Sequence, residues 1–489
     1  MQTLLGIDLG TTGCKAALYS LAGERLGQSY LEIPLLKPGP GVVEQDAAQW
    51  WTLTQEAIRQ ALRSSGVSGQ TVQALSVSSQ GISFVPVDEQ GCPLAHAISW
   101  LDTRATSETE QILSRLSEAE IFRLTGKRAS PAYGLPKLLW LRAHQPELFA
   151  RTHQFLTAHD FLLFQFTGQF VTDHTIASGM LVHDIARMGW SAELLGAFDI
   201  PVEKLPDIRR SGTALGKIRP EVARILGINE GALVAVGGQD QKCAALGASI
   251  RTGTATVSLG TASAISALVD HPLSDPERRI PLFPFFFPST WDLEGVVGTA
   301  GGALRWLRET MFPKISYPAL DEWAALAPPG ANGVRFYPHL SGAGSPYWRA
   351  DVLGAFLGLT LSTGPGDLVR SVLEGVAFQI RANLEVLESL GIPVAQLVLF
   401  GGGAQSGLWP KIIGGVTGRP VAIARMGDVA TWGAALLAGI GAGLLTGEDL
   451  ERGMIREEPV LPSPPECVEQ YEGICGRYRI QEEKLMRES

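Results

Sequence analysis

"GIDLGTTGCKAAL", residues 6–18, stands almost at the start of the chain. An apolar run carries into Asp8. A turn of glycine and hydroxyl residues follows at Gly10, Thr11, Thr12 and Gly13, and a second apolar run begins past Lys15. Two apolar runs joined by such a turn predict a β-hairpin. Its tip offers backbone N–H groups and hydroxyls, which are donors suited to phosphate oxygens. A carboxylate beside a phosphate-gripping turn would be repelled by the phosphates unless a cation lay between them. Asp8 is therefore a candidate partner for Mg2+ through water, since Mg2+ keeps several waters and takes only one or two carboxylates. Lys15 is either a further point charge for the phosphates or a solvated lysine at a strand edge.

The same pattern returns in "TATVSLGTASAISALVD", residues 254–270, where Gly260 and Thr261 take the places of Gly10 and Thr11. Either copy alone reads as an ordinary hairpin. Two copies about half a chain apart predict a duplicated fold that clamps a nucleotide between its halves, as in the actin, hexokinase and heat-shock chaperone ATPase plan. Length agrees. At 489 residues the chain exceeds the roughly 250–300 residues at which single cores stop growing, so two domains are expected, 1–247 and 248–489. A third piece, "LVLFGGGAQSGLWPKIIGGVTGRPV" (397–421), predicts a strand entering Gly401-Gly402-Gly403 and a helix from about Ser406, with Ser406 as N-cap. Three glycines let a flat ligand lie against backbone. The spacing is not GxGxxG, and no GxxxxGK[ST] loop occurs anywhere, which excludes a P-loop enzyme.

Chemistry is expected in "GALVAVGGQDQKCAALGAS", residues 231–249. A buried strand over 233–236 stops at Gly237-Gly238, and a helix begins near Asp240. Asp240 is either a plain helix N-cap or a general base. A helix N-terminus favours the ionised carboxylate, and the glycines leave room for a hydroxyl to approach. Phosphoryl transfer to an alcohol needs little more than a phosphate cradle, a metal and a carboxylate that takes the proton. A sugar side is expected in "ALSVSSQGISFVPVDEQGCPLAHAISWLDTRA" (74–105). There, strands over 75–79 and 82–87 flank Gln80-Gly81, and a third strand ends at Trp100, ahead of Asp102 and Arg104. Amide, carboxylate, guanidinium and an aromatic face are the groups that recognise sugars. The competing reading makes Trp100 a core residue and pairs Asp102 with Arg104.

Composition excludes other classes. A net charge of −9 argues against nucleic acid or an anionic membrane as partner. No run reaches the ~18 apolar residues of a membrane span, and residues 432–445, broken by glycines, predict a close-packed buried helix. The N-terminus lacks a basic region and a cleavage site. Five cysteines without a CxxC pair fit a reducing cytoplasm, and the eight histidines never form HxxxH or HExxH.

In this order the pieces resemble the FGGY carbohydrate kinases, and within them the xylulokinase-like branch. The likeness runs from "GIDLGTTGCKAAL" through "GVVEQDAAQWW" (41–51), "AISWLDTRA" (97–105), "GGQDQKCAALG" (237–247) and "VSLGTASAI" (257–265). It continues through "GTAGGALRWL" (298–307), "FGGGAQSGLW" (400–409) and "ATWGAALLAG" (430–439). The most specific match is "GLTLSTGPGDLVRSVLEG" (358–375). The resemblance implies two actin-like (ribonuclease H-like) α/β domains around a cleft, and ATP-dependent phosphorylation of a ketose or polyol with Mg2+. It implies Asp240 as base, Asp8 at the metal, and Gly10, Thr11, Thr12, Lys15, Gly260, Thr261, Gly301, Gly402, Gly403 and Ser406 at ATP. Gln80, Gly81, Ile82, Trp100, Asp102, Arg104 and Gln241 fall at the sugar. The expected acceptor is a xylulose-like pentulose, with L-xylulose, ribulose, gluconate or a small polyol as alternatives. From another class, the alternative is an actin- or chaperone-like ATPase that holds a partner protein. Three departures stand out. Gly81-Ile82 replace the Met-His usual in D-xylulokinases, Gln241 replaces an Asn, and "AYGLPKLLWLRAHQP" (132–146) keeps Lys137 and Trp140 of a family signature but has Gly134 in place of Ser, Thr or Pro. A homodimer is one assembly left open, and the tail from about Leu461 is expected to form a terminal helix.

Overall fold

Both glycine-hydroxyl turns connect antiparallel strands. The first joins Thr3–Leu9 to Gly13–Ser20, with Asp8 opposite Lys15, and the second joins Thr254–Ser258 to Ser263–Val269. The structure, a computed structural model, describes residues 1–452, 457–460 and 462–488. Strands that are covered on both faces read as continuous apolar runs. Thr3–Leu9 and Thr254–Ser258 are accordingly buried at every position.

Each hairpin sits in the middle of its own sheet. The first sheet runs Ala214–Lys217, Leu233–Gln239, Val72–Ser79, Thr3–Leu9, Gly13–Ser20, Arg25–Glu32. The second runs Leu282–Pro284, Trp291–Val297, Ser263–Val269, Thr254–Ser258, Gln396–Phe400, Val421–Ala424, Glu457–Pro459. In both, a three-stranded antiparallel meander continues into two strands parallel to its first. The duplicated α/β plan expected from the two turns is present, and the chain passes from one sheet to the other between Gln239 and Thr254.

Two helices tie the sheets together. Asp240–Gly247 leaves the first sheet, yet its Ala244 packs with Val398, Phe400 and Ala424 of the second. Val429–Gly441, from the second half of the sequence, buries Trp432, Ala435 and Leu436 with Leu4, Tyr19 and Ala74 of the first sheet. This is the buried helix expected over 432–445. Where the two helices cross, backbone meets backbone. A Cβ added at Gly433 would lie 1.9 Å from the Cys243 carbonyl oxygen, and one at Gly247 would lie 2.0 Å from that of Val429. No side chain fits there, which is why a stretch this apolar is also this rich in glycine.

Several boundaries differ from expectation. The strand before Asp240 runs through both glycines to Gln239, because Gly238 and Gln239 still pair with Ser78 and Ser79. The helix after the triple glycine starts at Trp409 rather than Ser406, since Gly402–Gln405 first form a 3-10 turn. The strand expected from Ile82 starts at Phe84, because Ile82 has a φ of 76°, and the next strand is only Ala97–Ile98. The tail forms a helix, Pro465–Glu488, and packs on the second half, with Tyr471, Ile474, Cys475 and Tyr478 in its core. Leu461 itself lies outside the described residues. The five cysteines are all unpaired.

Gly433→Val should therefore cost at least about 3 kcal/mol, the upper range for overpacking, because backbone cannot move aside as a side chain can. Calorimetry of this variant should show a transition several degrees lower. An unchanged transition would mean that the helices are not in backbone contact.

Candidate active site

Asp240 is the first residue of its helix. Gln239, not Asp240, is the N-cap, and its Oε1 accepts from the Lys242 amide. This removes the plain capping role and leaves the Asp240 carboxylate for other work. Its Oδ1 accepts from the Gln239 Nε2 at 2.9 Å and the Gln241 amide at 2.7 Å. Its Oδ2 takes no hydrogen bond among the described residues. The carboxylate is thus fixed by one oxygen with the other left open. Among the described residues, Gln241 adds a buried Oε1 without a hydrogen-bond partner.

Asp8, at the end of Thr3–Leu9, accepts from Ser78 Oγ at 2.8 Å on the neighbouring strand. Lys15 Nζ lies 3.7 Å from Asp8 and 2.7 Å from Asp428, which caps the helix Val429–Gly441. Lys15 is therefore an ion-paired lysine rather than a solvated one. Burial lowers its pKa, but Asp8 and Asp428 more than offset this and hold it above the usual lysine range. Burial pushes Asp8 up to about 6 against the pull of Lys15, with Asp428 adding to the rise. Burial also pushes Asp240 up to about 7, and the nearby charge of Asp8 pushes in the same direction. Burial and a neighbouring carboxylate together bring Asp240 close to neutral pH, where a carboxylate can accept a proton. Among the described residues no three His, Cys, Asp or Glu could hold a metal by themselves. Asp8 and its oxygen surroundings do suit a hard cation that keeps its waters and shares phosphate oxygens.

The hairpin tips are open. Gly10 and Thr11 are half-buried, while Thr12, Gly260 and Thr261 are exposed. The second tip docks on the helix Gly301–Met311. Gly301 N donates to Gly260 O at 2.7 Å, Gly302 N donates to Thr261 O, and Arg305 Nη2 donates to Thr261 Oγ1 at 3.2 Å. A Cβ at Gly301 would lie 2.5 Å from Gly260 O, so only glycine closes this junction. Gly403 N donates to Leu259 O, which brings the triple-glycine turn to the same tip, and around Gly402 the space is empty. Ser406 is already engaged: its Oγ donates to Asp321 and accepts from the Leu408 and Trp409 amides.

On the expected sugar side the residues divide. Trp100 is not core. It is 39% exposed, and its Nε1 donates to Thr11 Oγ1 at 2.8 Å, so it spans from the sugar stretch to the first tip. Gly81 lies by the residue before Asp240, a Cβ there reaching 3.1 Å from Gln239 Cγ, and Ile82 packs by Gly179, where an added Cβ would come within 2.8 Å of Ile82 Cγ1. Gln80 is buried and its amide is satisfied internally, by Gln45 Oε1 and Ser83 Oγ. Asp102 is fully buried. It accepts from Arg104 Nε and Nη2, from the Arg104 amide and from the Val43 amide, and Arg104 also reaches Glu44 at 2.7 Å. The pairing of Asp102 with Arg104 is what the structure shows. Arg104 in turn lies 4.9 Å from the Trp140 ring, and Lys137 Nζ donates to Ser99 O and Ala132 O. The signature residues Lys137 and Trp140 thus brace the loop that presents Trp100.

Sequence reasoning missed Ser78, Gln239, Arg305 and Asp428. Asp428 carried a readable signal, an Asp directly before an apolar helical run. The others are placed by contacts far apart in the chain.

Residues 3–247 match the N-terminal domain, and residues 255–442 the C-terminal domain, of the FGGY family of carbohydrate kinases. The chain belongs to this family. The kinase is 33% identical to a xylulose kinase of Escherichia coli over 94% of its own length and 93% of the relative's. Its fold superposes on a ligand-bound xylulose kinase of Lactobacillus acidophilus with a TM-score of 0.93, at 26% identity and 99% coverage of both chains. A gluconate kinase of the same organism gives 0.92, also at 26% identity, over 99% of this chain and 98% of that one. The enzyme is an ATP-dependent carbohydrate kinase, and among the described residues no helix is long and apolar enough to cross a membrane.

The raised carboxylates carry a stability consequence for the kinase. A folded-state pKa of about 7 for Asp240 exceeds its ordinary 3.8, so the folded state binds the proton more tightly. The contribution to stability is full below about pH 4 and is lost as pH rises through 7. Asp240→Asn removes this penalty and should stabilise the protein at pH 8 by about 2 kcal/mol, after discounting for partial exposure. The gain should vanish near pH 4. Thermal unfolding at both pH values checks the sign, and an Asn variant no more stable at pH 8 would contradict the buried-carboxylate reading.

Proposed function

We propose that this cleft transfers the γ-phosphoryl group of ATP to a hydroxyl of a xylulose-like pentulose, in the cytoplasm. The observation that carries the reading is the Asp240 carboxylate, clamped through Oδ1 by Gln239 and Gln241 and open at Oδ2. The identity to xylulose kinases supports the acceptor class. The match to the N-terminal family domain ends at residue 247 and that to the C-terminal domain begins at 255, which supports a junction there with Asp240 at the border of the two halves.

In this reading Gly10, Thr11 and Thr12 receive phosphate oxygens from one side, and Gly260 and Thr261 from the other. Backbone N–H groups at such tips are fixed before the ligand arrives and need no reorganisation as charge moves. Gly301, Gly402 and Gly403 form the wall against which the nucleotide lies, and Ser406 holds that wall in shape through Asp321. Mg2+, when bound, would offset the phosphate charge, and Asp8 would hold it through water while Lys15 and Asp428 keep Asp8 in place. Asp240 Oδ2 takes the proton of the acceptor hydroxyl as its oxygen bonds to the γ-phosphorus and the bond from that phosphorus to the β,γ-bridging oxygen breaks, releasing ADP. Gln241 Oε1, buried and unpartnered, accepts from a second sugar hydroxyl. Trp100 offers its ring to the C–H face, and Gly81-Ile82 shape the floor by contact alone. Gln80, Asp102 and Arg104 act behind these groups by holding the loop.

Asp240→Asn should lower turnover by about 10²-fold or more while leaving the KM for ATP nearly unchanged, since only proton acceptance is lost. Wild-type turnover in the Asn variant at saturating sugar would refute the base assignment. ADP release measured across ketoses, aldonates and polyols should peak for a pentulose. A flat panel with ATP turnover stimulated by another protein would instead favour an ATPase that holds a partner.

A further inference from the structure

Two residues after Asp240, the same helix carries a lysine that no solvent reaches. Lys242 Nζ donates to Asp292 Oδ2 at 2.5 Å and to Glu294 Oε2 at 2.7 Å, and it lies 4.1 Å from the centre of the Phe283 ring. Asp292 and Glu294 sit on Trp291–Val297, and Phe283 on Leu282–Pro284, both strands of the second sheet. The helix itself is an extension of the first sheet. The ion pair therefore crosses from one half of the molecule to the other, one helical turn from the base.

Such a pair is not a cheap way to hold two halves together. Burying the charges costs several kcal/mol each, and well-packed apolar residues of similar volume are often at least as stable. The charge count shows what the lysine supplies. Another buried lysine, Lys127, lies 4.0 Å from the same Phe283 ring and donates to the Thr125 and Leu282 carbonyls. Burial, with the nearby Lys242, pushes its pKa down against the pull of Glu294. The Lys242 ammonium donates to both carboxylates, Lys127 and the buried Tyr133 hydroxyl also lie near Glu294, and among the described residues Asp292 Oδ1 is buried without a hydrogen-bond partner. Around Asp240, the charges of Asp8 and Glu294 act against ionisation and Lys242 acts for it. Cys243, the remaining titratable neighbour on the helix, is a buried neutral thiol.

We propose that Lys242 is a positioning residue for phosphoryl transfer: it fastens the first turn of the Asp240 helix to Trp291–Val297 and balances the Glu294 charge beside the base. The inference rests on Asp240 being that base. The second half of the molecule thereby sets where the base stands, although the base belongs to the first.

A merely structural lysine would, on removal, lower stability and depress activity alike at every pH. A positioning lysine displaces the acid limb of the kcat/KM profile. Three variants, each checked for folding by circular dichroism, are assayed with ATP and a pentulose from pH 5 to 9. Lys242→Met should lower kcat at pH 7 by about tenfold and move the acid limb up by about one pH unit, with the KM for ATP held within about twofold. Lys242→Met with Glu294→Gln should bring the limb back toward wild type. Glu294→Gln alone keeps the shape of the site and should move the limb the opposite way, to lower pH, so the proposal stays testable if Lys242→Met fails to fold. A limb unmoved by both Lys242→Met and Glu294→Gln overturns it, as does a double variant displaced as far as the single. An inactive Asp240→Asn beside unmoved limbs would refute the positioning role alone. A fully active Asp240→Asn would remove the base reading on which it rests.

Discussion

The backbone contact between Asp240–Gly247 and Val429–Gly441 is the constraint on which the site depends. Each helix grows from one half of the sequence and reaches the core of the other, and glycines at 247 and 433 let them touch. Because the helices are exchanged in this way, the ends of both central strands are fixed relative to one another. The same crossing places Asp428, a residue of the second half, against Lys15 of the first hairpin. A site built from rigid strand ends and helix starts is more exact than one built on loops.

What this scaffold creates is an electrostatic problem that a substrate would solve. Asp8 and Asp240 share one cleft, each raised above the ordinary carboxylate range, with Lys15 and Lys242 as the nearby cations. Neither lysine is available as a loose charge. Lys15 is drawn between Asp8 and Asp428, and Lys242 between Asp292 and Glu294. Asp8 and Asp240 are therefore poised to accept a proton. That is a poor state for stability at neutral pH and a good one for a base, the usual trade between stability and activity.

How much of this was readable depends on how local each feature is. The two hairpins were legible because turn chemistry resides in a few consecutive residues, and their recurrence revealed the duplication. Asp240 was legible for the same reason, as a carboxylate at a strand-to-helix step. Boundaries were misread where tertiary contacts overrule local signals. Ser406 is a good N-cap by type, but its hydroxyl is drawn to Asp321 and the helix waits until Trp409. Asp102 and Arg104 looked equally fit for sugar or for each other. Only the Val43 amide and Glu44, far away in sequence, decide for the pair. Lys242 and Glu294 stood in plain view as charges within apolar runs, and such charges must find partners. Which partners they find is a matter of topology, and no single stretch of sequence contains it.

The most direct measurement is a crystal structure of the enzyme with ADP, Mg2+ and a pentulose bound together. If Asp240 is the base, its Oδ2 will lie about 3 Å from one sugar hydroxyl, and that hydroxyl will point at a β-phosphate held between residues 10–12 and 260–261. A sugar whose hydroxyls all stay more than about 5 Å from Asp240 would contradict it, beyond the reach of direct or single-water proton transfer.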